Sequence, residues 1–335
     1  MITLGIETSC DETAVAVVED GFTLRANLIA RQEHLHERFG GVVPEVAARA
    51  HVEALNPLLE RALETADVGF GGLDGVAVTS GPGLVGALLV GMAAAKSVSL
   101  VTGAPLIGIN HLEGHYWANF LVHGTPRPPY VALIVSGGHT MLVHIPELFR
   151  HEVLGQTLDD AAGEAFDKVA RLLGLGFPGG PALDAAARKG DPGAVRFPRS
   201  MEDSGDLDFS LSGLKTAVLR FVRGERAAGR EIDVPDLAAS FEEAIVDVQV
   251  SKTIAAAERT GVPTVLLGGG VVANTRLRER LQRDGERAGL EVLFPPLELC
   301  TDNAAMIACL GAARLARGER TSLDIPADPN LQLAT

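Results

Sequence analysis

The sequence predicts an α/β protein with two similar halves, each built on a mixed sheet flanked by helices. Predicted strands alternate with helices along most of the 335 residues, and the order of elements starts again near Tyr130. Only 4% of the residues are aromatic, whereas Ala, Val, Leu and Gly are abundant, which suits close packing of helices on aliphatic sheets. The length and the 47% hydrophobic content suffice for two domains with large cores.

In the first half, alternating apolar and β-branched residues predict three short strands at 2–9, 13–19 and 23–30. A helix is predicted next, at 44–67. The pattern then predicts a strand at 75–81 and a Gly-rich helix at 86–100. A second strand follows at 105–110, and a helix with two histidines at 111–117. This half is therefore a meander of strands followed by alternating helices and strands.

The second half repeats this order after the Pro-rich segment 124–130, which marks the predicted domain boundary. Three strands are predicted first, at 130–140, 141–146 and 151–158. The remaining elements are helices at 163–174, 212–224, 242–261, 274–289 and 301–318 and strands at 263–270 and 290–296. The likeness between the halves lies in the pattern of elements and not in residue identity, so we interpret it as an internal duplication.

The formal charge of -14 disfavours long-range attraction to nucleic acid, because neutralisation of phosphates supplies most of that affinity. If RNA is a substrate, a local basic surface or a partner protein must bind it. The predicted helix at 274–289 offers one basic face, formed by Arg276, Arg280, Arg283 and Arg287. Acidic residues are interspersed on the same helix, so an ordinary solvated face is the favoured interpretation.

The cysteine count and the termini predict a soluble, cytoplasmic protein without membrane association. Cys10, Cys300 and Cys309 are odd in number and form no C-x-x-C motif, which argues against a disulfide framework. The longest uncharged apolar run ends at Lys96 and is too short to span a bilayer. The chain runs from Met1 directly into a strand pattern, so we expect no signal peptide.

The stretch "INHLEGHYW" at 109–117 places two histidines four positions apart. Four positions on a helix rotate by about 400°, so His111 and His115 share one face and can hold one ion. Metalloproteases of the H-E-x-x-H type place the glutamate directly after the first histidine, whereas Glu113 comes one position later and points away from that face. Spacing alone leaves a metal site and an ordinary amphipathic helix equally open.

Small-residue turns follow a predicted strand in each half, as "GIETSCDET" at 5–13 and "IVSGGHT" at 134–140. Such turns let backbone N–H groups approach phosphate oxygens, with neighbouring hydroxyls as further donors. A third Gly cluster, at 266–274, follows a strand and leads into a helix, a position that suits a nucleotide. Each turn by itself could simply connect two elements, but together they predict a nucleotide cleft between two lobes.

Nine motifs occur in order from residue 1 to about 325: "GIETSCDET", "GGVVPEVAAR", "SGPGLVGALLVG", "NHLEGH", "VSGGHT", "GEAFDKVA", "PGGP", "GGGVVAN" and "CTDNAAMIA". Together they resemble the bacterial tRNA adenosine threonylcarbamoyltransferases, a family formerly named O-sialoglycoprotein endopeptidases. The resemblance implies the duplicated, two-lobed RNase H-like fold of actin, hexokinase and Hsp70. With that fold we expect a first lobe of 1–127 plus about 303–325, a second lobe of 128–302 and a C-terminal tail of 326–335.

The resemblance implies that His111, His115 and Asp302 bind one divalent metal ion, Fe(II). From the sequence alone, Asp302 would more often be the N-cap of the helix that begins near it. Two imidazoles and one carboxylate suit Fe(II) and a catalytic zinc equally well, so iron is implied by the resemblance alone.

The family's substrate-binding positions fall in the second half, on Ile134, Val135, Ser136, Gly137, Gly138, Asp167, Gly180, Asp184 and Asn274. We expect the turn to hold the phosphate and acyl end of the donor, and the carboxylates to accept hydrogen bonds from ribose or threonine hydroxyls. Without the resemblance, the two aspartates would be interpreted as surface charges, and Asn274 could equally cap the helix that follows it.

The implied reaction moves the threonylcarbamoyl group from threonylcarbamoyl-AMP to N6 of adenosine 37 in tRNAs that read codons beginning with A. The exocyclic amine is a poor nucleophile because its lone pair is delocalised into the ring. A metal ion can polarise or orient the donor, and a carboxylate can take the N6 proton. We assign that carboxylate to Asp11 or Glu12 beside the first turn, although acids in a connecting turn explain them equally well.

The resemblance also implies partners: tRNA, an inactive paralogue of the same fold and a small ATPase subunit, with the donor made by a separate threonylcarbamoyl-adenylate synthase. Two other functions stay open, a non-catalytic or ATP-hydrolysing scaffold subunit of such a complex and a small-molecule kinase of the same fold. A kinase would have no use for the histidine pair. A metalloprotease is opposed by the position of Glu113.

Overall fold

The computed structural model describes residues 1–333 and divides them into two compact units. Among the described residues, unit 1 comprises Met1–Pro126 and 295–333, and unit 2 comprises Arg127–Phe294. Each unit contains one five-stranded mixed sheet with helices packed on it. The predicted α/β class, with two mixed sheets flanked by helices, is therefore confirmed.

Within residues 1–333, ten strands form the two sheets. Those of unit 1 are β1 (Ile2–Glu7), β2 (Glu12–Glu19), β3 (Thr23–Arg31), β4 (Gly75–Gly81) and β5 (Leu106–Asn110). Those of unit 2 are β6 (Tyr130–Val135), β7 (Thr140–Ile145), β8 (Glu152–Gln156), β9 (Thr264–Gly268) and β10 (Glu291–Leu293).

The α-helices of the same residues are numbered in chain order. Five precede unit 2, namely α1 (Glu33–His36), α2 (Pro44–Ala66), α3 (Val85–Thr102), α4 (His111–Trp117) and α5 (Phe120–His123). Unit 2 contains α6 (Ala162–Leu173), α7 (Gly179–Ala187), α8 (Ser212–Ala227), α9 (Val234–Thr260) and α10 (Thr275–Arg287). The last helix, α11 (Ala304–Ala316), belongs to unit 1.

The two sheets have the same topology. The strand order is β3-β2-β1-β4-β5 in unit 1 and, listed in the same sense, β8-β7-β6-β9-β10 in unit 2. The central strand of each sheet pairs antiparallel with the strand that follows it and parallel with the fourth strand of its unit. These central strands are buried almost throughout, as expected for strands covered on both faces. The predicted internal duplication is thus present at the level of strand order.

Helix α11 lies unusually close to β1 and β4 in unit 1. A Cβ atom added at Gly5 of β1 would lie 2.3 Å from the carbonyl oxygen of Ala304, and one added at Gly311 would lie 2.3 Å from Cβ of Ala77. Glycine is therefore required at both crossings, because no side chain fits between the backbones. The close packing fixes the start of α11 and with it the loop that carries Asp302.

The chain returns to unit 1 earlier than the predicted position near residue 303. The return falls at Pro295, and Leu299 and Cys300 are buried before α11 begins. The predicted tail also belongs to this unit, since the N–H of Asp328 donates to the carbonyl of Ser80 at 2.8 Å. Residues 334 and 335 of that tail lie outside the described residues.

Helix α3 is long and apolar enough, by length and composition, to cross a membrane. Its residues Ala87, Leu88, Met92 and Ala95 are buried within unit 1, where the helix packs on β4 and α2. Its Lys96 donates a hydrogen bond to the carbonyl of Ile325 at 2.6 Å. We therefore interpret α3 as a helix of the core.

The close approach of α11 to β1 predicts a steric penalty at Gly5. Gly5→Ala should lower the free energy of unfolding by about 2 kcal/mol, because the new methyl group meets a backbone oxygen that cannot move aside. Denaturant unfolding of the full chain measures this loss. Gly71→Ala is the matched control, since a Cβ there meets no atom within 4 Å. Equal unfolding midpoints for the two variants would contradict the predicted close contact.

Candidate functional site

Helix α4 begins at His111 and carries both histidines of the predicted metal site. Its N-cap is Asn110, the last residue of β5, whose side-chain oxygen accepts hydrogen bonds from the N–H groups of Leu112 at 2.9 Å and Glu113 at 3.4 Å. All seven residues of α4 are buried, with His115 only 1% exposed. An ordinary amphipathic helix with a solvated face, the alternative that spacing left open, does not fit this burial.

His111, His115 and Asp302 lie together in unit 1. Their ligand atoms are all within 4.8 Å of one another, and Oδ1 of Asp302 lies 3.4 Å from Nε2 of His111 and 3.6 Å from Nε2 of His115. Donors about 2.1 Å from one tetrahedral ion are about 3.4 Å apart, so these separations suit a shared cation. The three side chains therefore fit the metal site that the resemblance predicted.

The N-cap of α11 differs from the sequence-based alternative. Asn303, and not Asp302, caps this helix, because its side-chain oxygen accepts a hydrogen bond from the N–H of Met306 at 3.0 Å. Asp302 lies one residue earlier, and its carboxylate points toward the two imidazoles. The cap and the candidate ligand are thus adjacent residues with separate roles.

Glu7 is a buried carboxylate beside the candidate site that sequence reasoning missed. Its Oε2 lies 2.9 Å from Nδ1 of His111, and it also accepts hydrogen bonds from the Thr79 hydroxyl and the N–H of Ser9. A carboxylate on Nδ1 fixes the ring so that Nε2 faces Asp302, as in many carboxylate–histidine–metal groups. The sequence hints at this role of Glu7 only by placing a charged residue at the end of an apolar strand.

Two nearby carboxylates determine the pKa of His111. Burial by itself would lower the pKa of His111, but the charges of Asp302 and Glu7 outweigh it and raise this pKa well above its usual range. Burial likewise acts to raise the pKa of Glu7, yet the charge and hydrogen bond of His111 lower it overall. An incoming cation would therefore displace a proton from the imidazole.

Glu113 faces away from this group of side chains, as its helical position predicted. Its Oε2 accepts a hydrogen bond from the Arg314 guanidinium on α11 at 2.7 Å, and its side chain is buried. A buried carboxylate held by an arginine cannot act as a base on a ligand of the histidines. The geometry thus agrees with the argument against a metalloprotease.

Asp11 and Glu12 lie where the turn after β1 enters β2, and both are half-buried. Burial, followed by the charges of Asp302 and Asp11, raises the pKa of Glu12 well above its usual value. His51 of α2 supports the turn, since its Nε2 lies 2.9 Å from the carbonyl oxygen of Cys10. This supporting histidine was not identified from the sequence because its partner is 41 residues away.

The end of β6 and the turn after it carry five of the predicted substrate-binding residues. Ile134 and Val135 end β6 with fully buried side chains, so they can offer only backbone groups. Ser136 closes the turn, because its N–H donates to the carbonyl of His139 at 2.8 Å. A Cβ added at Gly137 or Gly138 would meet no atom within 4 Å, so the backbone is open there.

Asp167 lies in the middle of α6 and Gly180 in the first turn of α7, where the two helices pack together. The Asp167 carboxylate accepts a hydrogen bond from the N–H of Gly179 at 2.8 Å and so fixes the start of α7. A Cβ added at Gly180 would meet no atom within 4 Å. Asp167 is half-buried, so it is not the plain surface charge that an isolated sequence position would indicate.

Asp184 and Asn274 meet in a buried polar network with Glu242, a residue that sequence reasoning missed. The Asn274 amide donates to Oε1 of Glu242 at 2.6 Å and to Oδ1 of Asp184 at 3.3 Å. Asn274 also caps α10, since its oxygen accepts from the N–H of Leu277 at 2.8 Å. Capping and the predicted substrate role are therefore compatible at this residue. Burial raises the pKa of Glu242 to about 7.

Four of the five arginines of α10 form ion pairs with carboxylates of unit 2. Their carboxylate partners are Glu243 for Arg276, Glu243, Asp247 and Asp284 for Arg280, and Asp284 for both Arg283 and Arg287. The sequence favoured an ordinary solvated face, and this holds for the exposed Arg283 and Arg287 but not for Arg276 and Arg280, which are half-buried against the carboxylates of α9.

The assembled ligand group predicts that metal binding depends on both histidines. His111→Ala combined with His115→Ala should reduce the bound metal from about one ion per chain to nearly none, because one carboxylate alone holds a cation weakly. Elemental analysis after anaerobic purification measures this. His144→Ala is the control, since that imidazole pairs with Glu152 at 3.0 Å in unit 2. Full metal content in the double variant would exclude this ligand set.

The raised pKa of Glu242 predicts a pH-dependent stability. Its folded pKa of about 7 exceeds the unfolded value of about 4.3, so its favourable contribution is complete below about pH 4 and is lost as the pH rises through 7. Glu242→Gln has no carboxyl group at this position, so it avoids this loss. As the pH rises from 5 to 8, the difference in free energy of unfolding between the variant and wild type should increase by up to about 3 kcal/mol in favour of the variant. Glu258→Gln, at an exposed position of the same helix, should not change the pH dependence. Parallel pH curves for wild type and Glu242→Gln would refute the assignment.

Known proteins similar to this chain include one family and several relatives of nearly the same length. Residues 23–309 match the family TsaD, tRNA N6-adenosine threonylcarbamoyltransferase. A relative of that name from Moorella thermoacetica is 53% identical over 98% of this chain and 96% of its own. Another from Desulfitobacterium hafniense is 53% identical over 99% and 97% of the two chains.

Solved structures with low sequence identity share the fold. HypF from T. kodakarensis has a TM-score of 0.64 at 14% identity, covering 94% of this chain and 48% of its own. The ROK hexokinase from Thermus thermophilus has a TM-score of 0.50 at 16% identity, covering 95% and 100%. The likeness to hexokinase confirms the predicted ATPase-like fold. By the family match and its full-length relatives, this chain belongs to the tRNA N6-adenosine threonylcarbamoyltransferase family.

Proposed function

We propose that this chain transfers the threonylcarbamoyl group from threonylcarbamoyl-AMP to N6 of adenosine 37 in tRNAs that read codons beginning with A, releasing AMP. The observation that carries this proposal is 53% identity to transferases of that name over nearly the whole chain. The buried group of His111, His115 and Asp302 supports it, because three protein ligands leave a coordination position open, as catalytic metal sites do and closed structural sites do not.

The metal ion of this site is Fe(II) in our proposal, held by His111, His115 and Asp302. Two neutral imidazoles and one carboxylate leave coordination positions open, as catalytic sites require. The ion supplies Lewis-acid polarisation or orientation of the donor's carbonyl group. Glu7 orients His111 through Nδ1 and keeps Nε2 directed at the site.

The donor is bound in our proposal by unit 2, with its phosphate and acyl end at the turn of Ser136, Gly137 and Gly138. The open backbone at both glycines supports this, because phosphate oxygens can approach N–H groups that no side chain covers. Asp167 and Asp184 would accept hydrogen bonds from the ribose or threonine hydroxyls, and Gly180 and Asn274 would complete the donor site. The network with Glu242 would hold Asp184 and Asn274 in place.

The chemical step joins N6 of the adenine to the carbonyl carbon of the donor. The bond from that carbon to the AMP phosphate oxygen breaks, its electron pair leaves with AMP, and N6 loses a proton. Glu12 is our first choice as the base, with Asp11 beside it. The raised pKa of the Glu12 carboxyl supports this choice, because a carboxylate with a higher pKa accepts a proton more readily.

We further propose that the protein is cytoplasmic and acts in a complex with an inactive paralogue of the same fold and a small ATPase subunit. A separate threonylcarbamoyl-adenylate synthase would supply the donor. The large negative charge supports dependence on partners, since an acidic chain by itself attracts a polyanion weakly.

A reconstituted assay tests this function against its alternatives. The full chain, its partners, unmodified tRNA and donor labelled in the threonine part should yield labelled tRNA and one AMP per transfer. Replacement of adenosine 37 should abolish labelling. A scaffold subunit would support equal transfer with the His111→Ala, His115→Ala chain. A small-molecule kinase would consume ATP with a sugar or acid and label no tRNA.

The open turn predicts a steric test of donor binding. Gly137→Val should raise the dissociation constant of threonylcarbamoyl-AMP by about tenfold or more, equivalent to about 1.4 kcal/mol, because the side chain occupies the space needed by the phosphate. Calorimetric titration measures the constant. Gly71→Val, at another open glycine, should bind the donor like wild type. Unchanged donor affinity in a folded Gly137→Val chain would exclude this turn as the binding site.

A further inference from the structure

Helix α8 of unit 2 presents a basic face to solvent. Arg220, Arg223 and Arg226 are all exposed, whereas Leu214 and Val218 are buried on the opposite side. At 100° per residue the three arginines lie within about 120° of one another, and they extend over about 9 Å of the helix axis. They form one continuous surface, which we call the α8 basic face.

The α8 basic face lacks internal partners. Among residues 1–333, none of these three side chains forms an ion pair or a hydrogen bond with the protein. Glu225, the acid on the same helix, is already held by Arg230 at 2.6 Å. The cations of the α8 basic face are therefore available to an external anion.

The arginines of α10 differ from those of the α8 basic face in their partners. Helix α10 has five arginines, and the carboxylates of Glu243, Asp247 and Asp284 pair with four of them at distances of 3.3 Å or less. A phosphate could bind there only by displacing a carboxylate, and it would meet the negative charge of that carboxylate nearby. At α8 neither cost applies, whereas the spacing of arginines along the sequence had singled out α10.

We propose that the α8 basic face contacts the phosphate backbone of the tRNA substrate. This inference rests on the proposed function, which makes a polyanion the acceptor. On a chain with a formal charge of -14, a local cluster of three unpaired guanidinium groups offsets the repulsion where the RNA lies. Arginine suits this contact because its guanidinium can form two parallel hydrogen bonds to one phosphate.

The test compares two variants that remove the same charge. The first is Arg220→Gln, Arg223→Gln, Arg226→Gln in the full chain, measured with its partners. The matched control is Arg283→Gln, Arg287→Gln, Arg317→Gln, three exposed arginines that are each paired with a carboxylate. Binding of unmodified tRNA is measured over a range of salt concentrations, donor binding is measured separately, and thermal unfolding reports the fold.

The α8 variant should raise the dissociation constant for tRNA by about tenfold or more near physiological salt and flatten the log–log salt dependence by about 2, since each lost phosphate contact removes about 0.7 to 0.9. Its donor affinity should equal that of wild type, and the control should bind tRNA within about threefold of wild type. Equal weakening in both variants, or none in the α8 variant, would overturn the inference. A wild-type complex that binds tRNA but transfers no threonylcarbamoyl group would contradict the proposed function and leave this binding comparison valid.

Discussion

The buried contact between Glu7 and His111 is the interaction on which the candidate metal site depends. A carboxylate removed from water costs several kcal/mol unless it is paired and hydrogen-bonded. Here His111, the Thr79 hydroxyl and the Ser9 N–H all satisfy it. Because these partners come from α4, β4 and the turn after β1, one side chain connects three parts of unit 1. The same contact directs Nε2 of His111 toward Asp302.

The two sheets share a topology but end their central strands differently. β1 ends at Glu7, whereas β6 ends at Val135. The carboxylate of Glu7 makes the end of β1 an anionic site that favours an imidazolium or a metal ion. The apolar Val135 leaves the end of β6 uncharged, and the next turn offers backbone N–H groups and the Ser136 hydroxyl, which suit an anion. A duplicated fold thus provides two chemically opposite turns at equivalent positions.

The distribution of arginine partners decides where an acidic chain can attract a polyanion. Net charge describes the average field, but a ligand responds to the nearest groups. On α10 the cations hold α9 and α10 together, and this structural role occupies their charge. On α8 the buried stripe of Leu214, Val218 and Val222 holds the helix, so its arginines have no such role. Because apolar residues on one face of α8 hold this helix in place, the arginines on its other face can bind a ligand.

The sequence by itself determined the features that depend on local periodicity. Alternating apolar residues located β1 to β3, helical rotation placed His111 and His115 on one face with Glu113 turned away, and the ordered motifs indicated the family and its fold. These predictions succeeded because residues close in sequence have positions set by the geometry of one element.

Only the tertiary structure decided which distant residues meet. Glu7 lies 104 positions from His111, and Glu242 lies 32 positions from Asn274, so no local pattern connects either pair. The return to unit 1 at Pro295, the cap at Asn303 and the pairing of the α10 arginines likewise follow from packing between elements. Burial and charge pairing act between neighbours in space, and the fold alone determines those neighbours.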